Sequence, residues 1–222
     1  MIINLKCFAL NYFSTMNLPD EIKTIGKTKE ITTTINKSRF IAQVYPVESE
    51  EAVKDYLTKT KKKYHDASHH CYAYKLANGK FHYTDAGEPN GTAGMRILNA
   101  IEHFNLSNQL VIVSRIFGGI KLGVGPLGKA YYESAFQILN ESKIISKYLY
   151  RKVSITAKFN QVSLVHRILT HYNSIILSTD YAESVSLNCL IMPGTIDQIQ
   201  RILEESGKNN IKFTNEADFI YK

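Results

Sequence analysis

From Ile31 to Val47 the chain reads as two extended runs separated by Asn36-Lys37-Ser38. In the second run Phe40, Ala42 and Val44 alternate with Ile41, Gln43 and Tyr45, and a period of two predicts strands with at least one buried face. At Glu48 the period changes. Val53, Tyr56, Leu57, Thr60 and Tyr64 recur at helical spacing behind a capping Ser49. Glu50 and Glu51 open this helix and Lys59, Lys61, Lys62 and Lys63 close it, the charge order that a helix dipole favours; the lysine run reads as a solvated helix end. His70 to Leu76 alternates again, and Asn78-Gly79 predicts a two-residue hairpin turn that returns as Lys80 to Thr84. Asp85 to Gly94 (DAGEPNGTAG) is turn chemistry throughout. Ile97, Leu98, Ile101 and Phe104 then form a helical stripe with Thr92 as its expected cap. Leu110 to Ile116 predicts a buried strand. Gly118 to Gly128 is a second glycine loop, leading into a stripe of Leu127, Ala130, Tyr131, Ala135, Ile138 and Leu139. The order β-β-α-β-β-α-β-α predicts a mixed sheet covered by helices, an α+β domain.

Past Tyr150 the pattern restarts. Val153 to Phe159 alternates as a strand, Val162 to Tyr172 has helical spacing, and Ile175 to Thr179 and Val185 to Ile191 are strands. Ile196, Ile199, Ile202 and Leu203 make one helix face, and Ile211 to Ile220 closes with a strand. That order, β-α-β-β-α-β, predicts a ferredoxin-like split βαβ domain. The expected organisation is an N-terminal arm over 1–19, a first domain over 20–147 and a ferredoxin-like domain over 148–222.

Composition bounds the function. The 222 residues are 44% hydrophobic and 21% charged, ordinary for a globular protein. The net charge of +7 is uneven: residues 1–150 hold 19 Lys and Arg against 13 Asp and Glu, and residues 151–222 hold 8 against 7. A basic first half suits an anionic partner, and equally suits solubility alone. Cys7, Cys71 and Cys189 are odd in number and far apart, which argues against disulfides and a cysteine zinc site and fits the cytoplasm. Nowhere do enough apolar residues run together for a transmembrane helix, so no membrane partner is expected. The first fifteen residues imitate a signal peptide weakly, with Asn4, Asn11 and Tyr12 interrupting the apolar run. They read as a loose arm or an upstream start before Met16.

The candidate chemistry falls between Tyr64 and Tyr131. Gly123 to Gly128 matches GxGxxG, yet the helix after it leads into another domain, which argues against a dinucleotide fold, and no Gly-Lys-Ser/Thr makes it a phosphate loop of the Walker type. The glycines ahead of a helix, with Pro126 near its start, either expose N–H groups to an anion or form a purely structural turn. Arg115, Lys121 and Lys129 would supply the countercharge. His65, His69 and His70 beside Cys71 resemble a metal cluster, but His70 and Cys71 point to opposite faces of a strand, so no metal and no other cofactor is expected. Cys71 beside a histidine suggests a nucleophile without an orienting third group. Asp85 and Glu88 suit an acid/base pair less well than acceptors for turn N–H groups. These residues define no catalytic constellation.

Ser68 to Tyr74 (SHHCYAY), Asp85 to Gly94 (DAGEPNGTAG) and Ser114 to Tyr131 (SRIFGGIKLGVGPLGKAY) resemble the signature of the IMPACT/YigZ family. The matching positions are His69, Cys71, Asp85, Gly87, Glu88, Pro89, Gly91, Thr92, Gly94, Arg115, Phe117, Gly118, Gly119, Lys121, Gly123 and Gly125, with His70 inside the first block. The resemblance implies a first domain similar to the second domain of ribosomal protein S5 and a ferredoxin-like second domain. It implies no established catalytic residues, and eukaryotic relatives that regulate translation by binding another regulator. The expected function is therefore a non-catalytic regulator binding RNA, the ribosome or a regulatory protein. Its expected face is Arg115, Gly118, Gly119, Lys121, Gly123, Gly125 and Lys129, with His69, His70, Cys71, Asp85, Glu88 and Thr92 as motif positions without an assigned role. The alternative is a small enzyme or a phosphometabolite or nucleotide binder using the Gly118 to Gly128 loop. Ala86, Pro126 and Gly128-Lys129 depart from the family pattern, where Asp, Gly and Val-Arg are usual.

Overall fold

The computed structural model describes residues 18–207 and 210–222. The arm expected over residues 1–19, but for its last two residues, lies outside them, as do Cys7 and the start-site reading at Met16. The chain forms two compact units, Ile22–Ser146 and Lys147–Lys222, the latter with the described residues up to Glu21. Among the described residues are two antiparallel sheets and five α-helices, and no helix is long and apolar enough to cross a membrane.

The unit Ile22–Ser146 contains β1 (Glu21–Ile25, at its boundary), β2 (Lys29–Ile35), β3 (Ser38–Pro46), α1 (Glu50–Lys63), β4 (His69–Lys75), β5 (Phe81–Thr84), α2 (Gly94–His103), β6 (Gln109–Ile116) and α3 (Val124–Asn140). Its sheet runs β2-β3-β6-β4-β5, every pair antiparallel. One face presents Phe40, Ala42, Val44, Cys71, Ala73, Val111 and Val113 to α2 and α3, which answer with Ile97, Ile101, Leu127, Tyr131 and Ile138. The other presents Tyr45, Tyr74, Leu110 and Ile112 to Val53, Tyr56 and Leu57 of α1. Strand β6 lies between two layers of helix, which is why it reads as an unbroken apolar run instead of alternating. Ser49 caps α1 as its position predicts, accepting from the Ala52 N–H at 3.3 Å.

Two turns differ in detail from the sequence expectation. The β4–β5 loop has three residues: the Leu76 N–H bonds the Lys80 carbonyl (2.8 Å), only Gly79 takes a positive φ, and Asn78 contributes its side chain, which accepts from the Lys80 N–H. The true two-residue turn is Asn36-Lys37, where both residues have positive φ, 45° and 65°. It is stabilised from outside. Gly118 lies flat against it, and its N–H donates to Ser38 Oγ at 3.2 Å. Strand β1 is an element the periodicity missed, being short and carrying only Ile22 and Ile25 as buried apolar residues.

The second unit follows β7 (Ile144–Ala157), α4 (Val162–His171), β8 (Ile175–Tyr181), β9 (Val185–Ile191), α5 (Ile196–Ser206) and β10 (Lys212–Tyr221). Its strands lie in the order β10-β7-β9-β8, all antiparallel. Val153, Ile155, Leu187 and Cys189 pack against Val165, Leu169, Ile199 and Leu203 of its helices.

A Cβ on Gly118 would stand 2.1 Å from the Lys37 backbone carbonyl, whereas one on Gly125 meets nothing within 4 Å. Gly118→Ala should therefore cost about 3 kcal/mol or more in urea unfolding, the upper range for overpacking against an unyielding wall. Gly125→Ala should be neutral or stabilise by about 0.5–1 kcal/mol.

Candidate functional site

The turn after β5 is built around the Asp85 carboxylate. Its Oδ2 accepts the Gly91 N–H (2.9 Å), and its Oδ1 accepts those of Ala93 (2.9 Å) and Gly94 (2.8 Å). The orphan donors at the start of α2 are thus satisfied by a residue eight positions upstream of Ala93. Thr92, the expected cap, instead donates to the Pro89 carbonyl at 2.6 Å. Gly94 sits so close to the Thr84 backbone that a Cβ would lie 2.6 Å away. Ala86 holds a left-handed φ of 45°, a conformation that Asp or Asn tolerates better than Ala, so the Ala86 departure falls on a position where it costs backbone energy.

This turn delivers Glu88 to the interior. Its side chain is 4% exposed and that of Arg115 is 7% exposed, and Arg115 Nη1 donates to Glu88 Oε1 at 2.7 Å. The Tyr131 hydroxyl donates to the same oxygen at 2.9 Å. Cys71 Sγ lies 3.0 Å from the Asp85 carbonyl oxygen and 3.3 Å from the Tyr131 oxygen. The guanidinium lies over the rings of Phe40 (5.5 Å) and Phe117 (5.4 Å), while its Nε is buried without a partner. His69 Nδ1 is 2.9 Å from the Ala86 carbonyl, which can only accept, so the proton is on Nδ1. That leaves Nε2 turned toward Glu88 Oε2 at 3.9 Å.

The polar groups are set against proton loss. Burial pushes the Cys71 thiol up to about 12 and raises Tyr131 further, so both stay protonated at neutral pH. His70 is on the other face, bonded to Ser114 Oγ at 2.8 Å, and burial, with Lys61 and His69 adding to it, holds its pKa below the ordinary histidine value. His69, Cys71, Asp85, Glu88 and Arg115 are thus brought together; His70 is not. Among the described residues no group of three or more His, Cys, Asp or Glu is arranged to hold a metal ion, and Cys71 and Cys189 are free.

Arg115, expected beside the glycine loop, points the other way. It shares the parity of Val111 and Val113 on β6, so its side chain enters the helix-facing interior. The loop itself is exposed at Gly119, Lys121, Gly123 and Gly125, with Gly119 and Gly123 at φ 84° and 83°. Lys129, in the first turns of α3, is exposed and 3.6 Å from Glu133. What sequence reasoning missed are the apolar side chains the loop holds in solvent: Phe117 (44% exposed), Ile120 (45%) and Val124 (66%). Their signal was present as apolar residues set singly among glycines, outside any period.

These features describe a two-unit α+β protein in which a buried Glu–Arg pair underlies an exposed glycine loop. Residues 36–139 match the Impact N-terminal domain. Over 184 residues the chain is 30% identical to an IMPACT family member of Haemophilus influenzae, covering 80% of this chain and 88% of that one. It is 29% identical over 193 residues to the IMPACT family member YvyE of Bacillus subtilis, covering 85% and 89%. The chain belongs to the IMPACT family. A crystal structure of a hypothetical protein shares the fold, with a TM-score of 0.66 at 24% identity over 88% of this chain and 97% of that one.

Two outcomes test the buried cluster. Glu88→Ala leaves the Arg115 charge buried without its partner and should cost about 3–5 kcal/mol, most of it recovered by adding Arg115→Met. A thiol whose pKa rises from about 8.5 unfolded to about 12 folded contributes stability that is complete below the first value and lost toward the second. Unfolding free energy should therefore fall between those pH values, with Cys71→Ala flattening the decline.

Proposed function

We propose that this protein is a non-catalytic, translation-associated binding protein that takes single-stranded RNA, free or within the ribosome, on the glycine-loop face of its first unit. The observation that carries this is the character of the loop. From His103 through Tyr132 the chain holds no Asp or Glu, while Lys121 and the Phe117 ring are exposed on the same loop as Ile120 and Val124. A backbone-tracking cation beside a ring on which a base can stack is what sequence-tolerant binding of single strands requires. Arg115 serves this face from beneath, packed on the inner side of Phe117. The reading without catalysis is supported by the state of the motif residues, with Cys71 and Tyr131 protonated and Glu88 already engaged by Arg115. The translation link comes from the family resemblance, which equally implies a regulatory protein as partner. Strand order β10-β7-β9-β8 around two helices supports a ferredoxin-like second unit, and the five-stranded sheet backed by α2 and α3 supports the ribosomal protein S5 domain 2-like first. Free cysteines in both units support a cytoplasmic setting.

A second reading has one observation in its favour. Helix α3 starts without a side-chain cap, beside a groove of about 360 Å³ lined by Arg96, Asn99, Gly125, Gly128, Lys129 and Tyr132. Bare N–H groups and two cations suit the phosphate of a nucleotide or phosphometabolite.

Fluorescence-anisotropy titration with a labelled single-stranded RNA separates the readings. Affinity should fall with salt, Lys121→Ala should reduce the log–log slope by about 0.7, the value for one contact to a single strand, and Phe117→Ala should weaken binding by about 1–3 kcal/mol at unchanged slope. Salt-independent or absent binding sinks the RNA reading. A thermal shift by nucleotides that Arg96→Ala abolishes would then establish the second.

A further inference from the structure

The sheet of the first unit ends in two open edges, β2 and β5. Natural edge strands are blunted by brevity, charge, proline or a bulge. Strand β5 is four residues long, whereas β2 is seven residues long, pairs with β3 without a register shift and carries only Ile and Thr from Ile31 to Ile35. The turn at Asn36-Lys37 fixes which of its backbone groups face outward. It makes Ile35 and Ser38 a hydrogen-bonded pair, and alternation extends this to Thr33–Phe40, Ile31–Ala42 and Lys29–Val44. The N–H and C=O groups of Glu30, Thr32 and Thr34 therefore point out of the sheet, and among the described residues no turn or loop bonds to them. Thr32 and Thr34 are exposed. On the helix side a groove of about 470 Å³ runs between β2 and α3, lined by Thr33, Ile35, Tyr132, Glu133, Phe136 and others.

We propose that this edge is a homodimer interface: a second copy of this chain adds its own β2 antiparallel to the first, about a two-fold axis at Thr32, joining two five-stranded sheets into one. The strand is self-complementary in the way such an axis demands. Thr32 is both the midpoint of Lys29–Ile35 and one of the outward residues, so the whole strand pairs with itself. Thr32 meets Thr32, and Glu30 meets Thr34 on either side, giving roughly six main-chain bonds at two per pair. Between them Ile31 stands opposite Thr33 and Lys29 opposite Ile35, so no like charges face each other across the seam. Ile31 of the second copy, opposite Thr33, falls on the groove side of the sheet and supplies its apolar filling, while Lys29 of each copy keeps its own partner, Glu141 at 2.8 Å. A foreign strand needs none of this symmetry; a second copy does.

Sedimentation equilibrium of the full chain at micromolar concentration should give twice the 25.2 kDa of one chain. Thr32→Lys, which sets two ammonium groups together at the axis, should give the single-chain mass with an unchanged far-UV circular dichroism spectrum. A Cys7→Ser background leaves only the two buried thiols. In it Thr32→Cys should cross-link on mild oxidation, because α-carbons of a hydrogen-bonded pair are about 5.5 Å apart, within disulfide reach. Thr34→Cys should not, its two copies standing four residue steps apart, about 13 Å. A single-chain mass for the unmodified protein, whether or not another protein is found on the edge, overturns the proposal. So does a Thr32→Lys variant that remains dimeric, or cross-linking at 34 in place of 32.

Discussion

Everything around the candidate site is arranged to keep one buried charge matched. The Arg115 guanidinium carries its charge into the interior, where its position near the end of the central strand places it among Phe40, Val113 and Tyr131. An unmatched charge there would cost several kcal/mol, so a carboxylate must come to it. Glu88 is brought by a ten-residue turn with little apolar surface of its own, held shut by the three N–H groups that Asp85 collects. Glycine at position 94, where a side chain would strike Thr84, completes the fit. The acidic turn is thus scaffold for the pair, and the pair in turn sets the inner face of the Phe117 ring at the root of the glycine loop.

Much of the fold was legible because each long element has one dominant period. The alternation of β3, β4 and β9 and the stripes of the five helices follow directly from which face meets a core. The turns were less legible, because their chemistry is decided by partners distant in sequence. Asn78-Gly79 has the composition of a two-residue turn yet forms part of a three-residue one, while Asn36-Lys37, with a lysine at φ 65°, is held by Gly118 just beyond the end of the neighbouring β6. The cap of α2 departs from the sequence expectation for the same reason. Thr92 has the right place in sequence, but Asp85 reaches across the turn with two oxygens and takes the donors.

The candidate site was legible as a set of residues and not as an arrangement. Parity on β6 assigns Arg115 to the same face as Val113, but an arginine just ahead of a glycine loop invites placement in solvent, and only the approach of Glu88 makes the interior tolerable. Cys71 and Tyr131 show the converse. Each looks reactive by type, and burial turns both into protonated, hydrogen-bonded packing. The exposed apolar residues of the loop escaped notice because periodicity finds what is buried and has no template for what is left out.

The position of β6 has a consequence for how the chain is made. In sequence it is the last of the five strands in its sheet, and in space it is the middle one, flanked by β3 and β4. Two hairpins, β2–β3 and β4–β5, emerge from the ribosome first, and neither can join the other until β6 is synthesised to lie between them. Their inner edges stay unpaired through the synthesis of α2, so the nascent domain closes in one late step, a topology that folds slowly because its decisive pairings are non-local.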